Sequence, residues 1–323
     1  MDVQRQKSGV ATLSVISNSL LVAGKLIVGL AIGSVSIISE AIHSGVDLLA
    51  AVIALFAVNT SHKPADKEHP FGHGKVENIS GTVEALLIFL AAGWIIYEAA
   101  GKLLHPREIE AVGWGVVVMF VSSLVNIIVS KRLFKVGRAT CSVALQADAW
   151  HLRTDVYTSA GVMAGLVIIL AGGKLFPGVN LLWLDPLAAI AVALLIIRAA
   201  WHLTLESAKD LLDVSLPQEE TWIREYIARL APLVRGIHHL HTRKSGALRF
   251  VEFHLIVEQN LSVVDSHRLT DIIDDDIETH FPGTRTTIHV EPCDGTCDQT
   301  CLGGCLVDSD RDISATDNRS KPE

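Results

Sequence analysis

Six long apolar runs, separated by short polar stretches, dominate the first 205 residues of the chain. They lie at about residues 10–30, 35–58, 79–99, 111–130, 144–171 and 183–205. Each run supplies roughly the 20 residues that a helix needs to cross a hydrocarbon core about 30 Å thick. The first run is too long for a signal-peptide core, and no small-residue cleavage site follows it, so we expect it to be retained. The pattern therefore predicts six transmembrane helices.

Shorter periodicities replace the apolar runs after about residue 206. An amphipathic helix is predicted from Pro217, because Trp222, Ile223 and Tyr226 recur at helical spacing. Alternating apolar and polar residues predict three strands, and a second helix is predicted before the last of them. The strands are expected at 236–245, 248–258 and 284–292, and the helix at about 263–281. This order, αββαβ, predicts a cytoplasmic α+β domain of the ferredoxin-like class.

The change of pattern divides the chain into three predicted parts. A six-helix membrane domain is expected at 1–210, the α+β domain at 211–292, and a disordered tail that contains cysteines at 293–323. The fold class is thus an α-helical membrane protein with six transmembrane helices and a C-terminal cytoplasmic α+β domain.

Composition agrees with a membrane protein. Half of the 323 residues are hydrophobic and the mean hydropathy is +0.39, which is too apolar for an ordinary soluble domain of this size. The formal net charge of −8 comes mostly from the C-terminal part, and the sequence contains no basic patch. Nucleic acid is therefore not predicted as a partner.

Basic residues are distributed unequally between the two sides of the predicted membrane domain. One side carries Arg5, Lys7, Lys63, Lys67, Lys75, Lys131, Arg132, Lys135 and Arg138, and the other carries Lys102, Arg107 and Lys174. Because cytoplasmic loops carry an excess of Lys and Arg, both termini are predicted to be cytoplasmic. We expect a multi-pass protein of the inner (plasma) membrane.

The second and fifth apolar runs share one polar pattern, acid-x-x-His-x-x-x-Asp. It reads EAIHSGVD in the second run and DAWHLRTD in the fifth. Residues four apart lie one above the other on a helix, so His43 with Asp47, and His151 with Asp155, each present an imidazole beside a carboxylate. Two such helices offer four N and O donors, a set suited to tetrahedral Zn²⁺.

Charged groups at membrane depth are costly and usually mark an ion path, a proton relay or a ligand site. The acidic residues that begin the two patterns, Glu40 and Asp148, are expected either to orient the imidazoles from behind or to attract cations at the mouth of the path. The alternative is that the histidine–aspartate pairs only join helices through polar contacts.

Together, the two histidine–aspartate patterns, the loop HPFGHGKVE and the C-terminal α+β domain resemble the cation diffusion facilitator family of zinc transporters. The resemblance covers about residues 8–292. It implies a homodimer in the lipid bilayer that exchanges cytoplasmic divalent metal for protons from outside. It also implies a transport site of His43, Asp47, His151 and Asp155, a two-His, two-Asp set that the family associates with zinc over cadmium.

A second group of potential ligands lies in the loop between the second and third runs. Asp66, His69 and His73 fall within eight residues, beside Gly72 and Gly74, which allow the backbone to turn tightly. The resemblance implies a zinc site here. Taken without it, a loop of this kind is equally often solvated and empty.

The resemblance implies a third site, a binuclear one in the cytoplasmic domain, where zinc acts as a regulatory ligand rather than as the substrate. Its ligands would be His238, His254, His267, His289 and Glu291. The family's bacterial members have Asp at the last of these positions, so Glu291 is a departure. Histidines at strand ends are commonly inert, which is the alternative for this cluster.

Two further histidines accompany that third group. Strand alternation places His239 opposite its two neighbours, so His241 is the better candidate for a supplementary ligand. The resemblance also implies a charge pair between Lys75 and Asp213 near the membrane surface.

Four cysteines repeat at every fourth position after the last strand: Cys293, Cys297, Cys301 and Cys305. Thiols are normally kept reduced in the cytoplasm, so disulfides are not predicted. The cysteines form either a flexible soft-metal capture site or a set of incidental thiols, and the family pattern does not include them.

These patterns favour a Zn²⁺/proton antiporter that exports metal by alternating access, and not an enzyme. An intramembrane zinc hydrolase needs an open coordination position and a general base such as HExxH supplies, and the sequence contains no HExxH. Two alternatives stay open: a membrane-anchored metal sensor without transport, and efflux of Fe²⁺, Cd²⁺ or Co²⁺, which share N and O ligands with Zn²⁺.

Overall fold

The structure, a computed structural model, describes residues 3–33, 35–104, 114–175, 183–293 and 303–306. Side chains are not described at residues 32, 35–36, 39–40, 114–116, 162–175 and 185. Contacts within the chain divide it into two units. The first contains residues 1–212 and 245–247, and the second contains residues 213–244 and 248–323.

The first unit is a bundle of six helices, as the apolar runs predicted. The helices are α1 (Val3–Ile32), α2 (Val35–Ser61), α3 (Lys75–Leu104), α4 (Trp114–Ala139), α5 (Val143–Leu175) and α6 (Leu184–Leu211). Most of them extend beyond the apolar runs, so that α1 begins at Val3 and not near residue 10. The α1–α2 turn passes through Gly33, whose φ of +71° is a conformation that favours glycine.

Within the described part, five of the helices are long and apolar enough to cross a bilayer. The exception is α5, whose first half carries Asp148, His151, Arg153 and Asp155. Its apolar second half, 162–175, lies outside the residues whose side chains are described. The charged half of α5 is therefore the part of the bundle that needs a functional explanation.

Small residues allow the helices to approach closely. The most extensive contacts are those of α3 with α6, α1 with α2 and α4 with α5, and α2 also contacts α5. A Cβ atom added at Gly81 would lie 2.7 Å from Ser207 Oγ and 2.9 Å from Val143 Cγ1. Lipid gives no hydrophobic drive between helices, so close packing of this kind holds the bundle together.

The second unit has the predicted αββαβ order. It contains α7 (Pro217–Ala228), β1 (Val234–Ser245), β2 (Leu248–Glu258), α8 (Val263–His280) and β3 (Thr284–Cys293). The sheet order is β1-β2-β3, and β3 runs parallel to β2 with His254 opposite His289. The two-residue turn between β1 and β2 requires these strands to run antiparallel.

A single apolar core holds the second unit together. Buried residues of α7 and α8, among them Ile223 and Ile273, pack against Val251, Phe253 and Leu255 of β2. Alternate residues of β2, including His254, face away from this core. The fold therefore leaves one face of the sheet available for polar chemistry.

Part of the predicted disordered tail pairs with the sheet. Cys305 bridges to Gly236 of β1, and Ile237 N donates to Gly304 O at 3.0 Å. Leu306 packs against the core of the unit. The tail residues 294–302 and 307–323 lie outside the described residues.

Candidate metal centres

The intramembrane centre is assembled from α2 and α5. His43, Asp47 and Asp155 each offer one ligand atom, and these atoms lie within 4.8 Å of one another. The fourth predicted ligand joins them through Asp47, because His151 Nε2 lies 3.1 Å from Asp47 Oδ1. Asp47 and His151 are each 4% exposed. Asp155 is half-buried and His43 is exposed. The structure thus brings two imidazoles and two carboxylates to one place between α2 and α5.

Of the two acidic residues expected behind the imidazoles, Asp148 does not hydrogen-bond to His151 in this conformation. Asp148 is completely buried on α5, but His151 Nδ1 has no hydrogen-bond partner among the described residues. The side chain of Glu40 lies outside the description. The orienting role of these two residues stays a prediction.

Two buried acidic groups on α3 were not singled out from the sequence as functional residues. Glu84 is completely buried, and its Oε2 has no hydrogen-bond partner within the described part of the chain. Glu77 is equally buried and pairs with Lys7 of α1, a residue counted above among the loop charges. Ser61 and Ser142 also donate to Glu77, at 2.8 and 2.5 Å. A single sequence gives no signal for such a network, because its members come from four separate segments.

The loop between α2 and α3 brings its three predicted ligands together. Asp66 Oδ1 accepts from the backbone N–H of His69 at 2.7 Å and from that of Glu68 at 3.0 Å. The other carboxylate oxygen lies 3.3 Å from His73 Nε2, and Asp66 Oδ1 lies 3.3 Å from His69 Nδ1. The backbone hydrogen bond from His69 lowers the pKa of Asp66 from its usual value, with smaller contributions from Glu68 and from both imidazoles. The loop therefore presents an ionised carboxylate between two imidazoles.

The cytoplasmic cluster is formed on the open face of the sheet. Glu291 Oε2 lies 2.8 Å from His238 Nε2, and Glu291 Oε1 lies 2.8 Å from His254 Nδ1. Burial alone would raise the pKa of Glu291, but hydrogen bonds from the two histidines outweigh it and leave the pKa below its usual value. His289 stands at the margin, with Nε2 3.6 Å from Glu291 Oε1. Glu291, which stands where the family's bacterial members have Asp, therefore still brings its carboxylate to His238 and His254.

Two further predictions concern His267 as a ligand and the charge pair between Lys75 and Asp213. His267 lies exposed on α8, with Nδ1 3.5 Å from Asp271 Oδ1, and is not part of the convergent set. Asp213 lies 3.5 Å from Arg243 within the second unit. Since Lys75 belongs to the other unit, its pairing with Asp213 stays a prediction.

The cysteines are separated along the sheet. Cys293 ends β3, whereas Cys305 lies beside β1, the strand at the opposite edge. Cys297 and Cys301 lie outside the described residues. The capture site remains a prediction.

Comparison with known proteins identifies both units. Residues 11–212 match the family model for the cation efflux transmembrane domain, and residues 216–293 match that for the cation efflux protein cytoplasmic domain. An uncharacterized transporter of Synechocystis sp. is 35% identical over 263 residues, which cover 80% of this chain and 82% of the relative. The cation-efflux pump FieF of Klebsiella pneumoniae is 33% identical, with coverage of 80% and 84%.

A solved structure of the zinc form of CzrB, a proposed zinc transporter, is 38% identical to part of the chain. It covers 27% of this chain and 99% of that chain, with a TM-score of 0.25. That score is too low to inform the fold, so the assignment depends on the family models and the long relatives. The helical bundle with its intramembrane donors and the αββαβ unit agree with them, and the chain belongs to the cation efflux, or cation diffusion facilitator, family of membrane transporters.

Proposed function

We propose that this cation efflux transporter exchanges cytoplasmic Zn²⁺ for external protons by alternating access, as a homodimer of the inner membrane with both termini in the cytoplasm. The observation that carries the proposal is the convergence of His43, Asp47 and Asp155 between α2 and α5, with His151 bonded to the buried Asp47. Two nitrogen and two oxygen donors match the ligand preference of tetrahedral Zn²⁺.

Proton coupling follows from the same side chains. The bond between His151 Nε2 and Asp47 Oδ1 needs a proton, whereas metal ligation needs a neutral imidazole nitrogen and an ionised carboxylate. Metal and proton therefore compete for one pair of groups. A site that loses a proton when it takes metal on one side, and regains one when it releases metal on the other, performs antiport.

To open the metal site first to the cytoplasm and then to the outside, α2 and α5 must shift relative to neighbouring helices. Alternating access of this type works by motion of one group of helices around a fixed site near the membrane midplane.

The second unit is proposed to regulate transport in the dimer. Its family model and the convergent donors of the cytoplasmic cluster support this role, in which bound metal favours one arrangement of the two protomers.

The first test is metal flux into proteoliposomes with an imposed pH gradient. With an acidic lumen, protons leave as Zn²⁺ enters, so we expect faster Zn²⁺ uptake than at equal pH, and a return to the slower rate after an ionophore dissipates the gradient. The same vesicles are then given Fe²⁺, Co²⁺ and Cd²⁺. A Zn²⁺ flux that ignores the gradient would remove the proton from the mechanism, and preference for another metal would change the substrate. If no metal crosses, the sensor alternative gains support.

A second expectation concerns the loop. Asp66→Asn removes the ionised carboxylate between His69 and His73, so we expect at least about tenfold weaker zinc binding there, because a lost ligand costs no less than a lost supporting group. Zinc titration against a chelating indicator measures this, and Glu68→Gln is the control, since only the backbone of Glu68 contacts Asp66. If Asp66→Asn and Glu68→Gln bind zinc with the same affinity, the loop is solvated and does not bind zinc.

A further inference from the structure

His239 has a backbone conformation that strand β1 does not require. Its φ is +49°, in the left-handed region that non-glycine residues rarely occupy. Residues held in such regions cost free energy and cluster at functional sites. The distortion also interrupts the alternation of β1, which would otherwise send His239 away from its neighbours.

The consequence is that His239 turns toward the cytoplasmic cluster. Its ring centroid lies 4.8 Å from that of His238 and 5.0 Å from that of His254. His238 and His254 are themselves 5.0 Å apart. The ring of His241, the residue that alternation favoured, lies 6.3 Å from that of His239. The expectation from alternation therefore differs from the structure, because both Ile237 and Leu240 are buried in the core and two residues, His238 and His239, lie between them.

The three ring spacings match the geometry of a shared metal. With Zn–N bonds of about 2.0–2.1 Å and tetrahedral angles, the centroids of three imidazoles on one zinc ion lie roughly 5 Å apart. The donors of His238, His254 and Glu291 already lie within 4.8 Å of one another. That convergent set does not include a nitrogen of His239, so ligation requires a rotation of its side chain.

We propose that His239 is an additional protein ligand of the cytoplasmic metal, which closes a tetrahedral site of three histidines and Glu291 within one protomer. The inference rests on the proposed metal binding at this cluster and adds a residue outside the pattern that the family resemblance implied. Four protein ligands leave no open position, which is typical of zinc sites that stabilise a conformation rather than catalyse a reaction. Metal binding would then compensate for the strained backbone of His239.

The test uses the full-length protein in detergent, with Asp47→Ala and Asp66→Asn present throughout to weaken the intramembrane and loop sites. Serine replaces Cys293, Cys297, Cys301 and Cys305, so that thiolates bind neither Zn²⁺ nor Co²⁺. Zinc is titrated against a chelating indicator, and Co²⁺ absorption reports the coordination number, since four-coordinate Co²⁺ absorbs far more strongly than six-coordinate Co²⁺. His239→Asn keeps a residue that tolerates the left-handed region but removes the imidazole. His239→Gly removes the imidazole and the strain together. His241→Asn, two residues along the same strand, is the control.

We expect both His239 variants to bind zinc at least about tenfold more weakly and to lose the intense Co²⁺ bands, while His241→Asn keeps both properties. Wild-type affinity and bands in His239→Asn would overturn the inference. His238→Asn separates this failure from that of the proposed site. If His238→Asn abolishes binding but His239→Asn does not, the site stands without His239. If neither variant changes binding, the cluster does not hold the metal.

Discussion

Asp47→Ala is expected to reduce Zn²⁺ flux into proteoliposomes to the level of protein-free vesicles. Asp47 is the residue on which the intramembrane centre depends, because it converges with His43 and Asp155 and also bonds to His151 Nε2 at 3.1 Å. Alanine removes a ligand and leaves that buried imidazole without its carboxylate partner. A divalent ion is costly to hold in a hydrocarbon environment without its ligands, so partial transport is not expected.

Asp155→Ala, on the other helix of the centre, should give the same loss. The matched control is Glu98→Gln, which removes a carboxylate of the same unit that is 57% exposed and pairs only loosely with Lys102, at 3.6 Å. All three variants are compared by size-exclusion chromatography, so that lost flux is not confused with lost folding. Folded Asp47→Ala protein that transports at the wild-type rate would leave the histidine–aspartate pairs as contacts between helices.

The spacing of apolar residues within each helix and strand was enough to predict most of the fold. The four-residue spacing of Leu269, Ile273 and Ile277 on α8, and the alternation of Val251, Phe253 and Leu255 on β2, indicate directly which side of each element is buried. The i,i+4 spacing likewise placed an imidazole beside a carboxylate on each of two helices.

Spacing within an element does not state which element lies opposite. The sequence indicated His43 beside Asp47, and their ligand atoms lie within 4.8 Å in the structure. It did not indicate that Asp47 also bonds across to His151 on α5, a contact that depends on the packing of α2 against α5. The position of His239 was missed for a related reason. Alternation assumes a regular strand, and one residue at φ +49° is enough to reverse it.

The buried pair between Lys7 and Glu77 leads to the second large effect. Lys7 is 5% exposed and Glu77 is 0% exposed, and Ser61 and Ser142 complete the hydrogen bonds of the carboxylate. The network joins α1, α2 and α3 to the turn that precedes α5. Removal of one partner from a buried ion pair costs about 3–5 kcal/mol, because the remaining charge stays buried without compensation.

We therefore expect Lys7→Met to lower the free energy of unfolding by about 3–5 kcal/mol, measured by denaturant titration in mixed micelles. The double variant with Lys7→Met and Glu77→Gln should recover most of this loss. A glutamine at position 77 is neutral, and its carbonyl oxygen can still accept from Ser61 or Ser142.

The exposed pair of Glu98 and Lys102 provides the comparison within the same unit. Its side chains are 57% and 46% exposed, so loss of either should cost at most about 1 kcal/mol. If Lys7→Met costs no more than Lys102→Met, the buried pair contributes little to stability. If the double variant is as unstable as Lys7→Met alone, the cost comes from the packing of the lysine stem rather than from the unpaired carboxylate. A large single loss with recovery in the double variant would show that the cost of Lys7→Met comes from the uncompensated buried carboxylate of Glu77, and not from the lost side-chain volume.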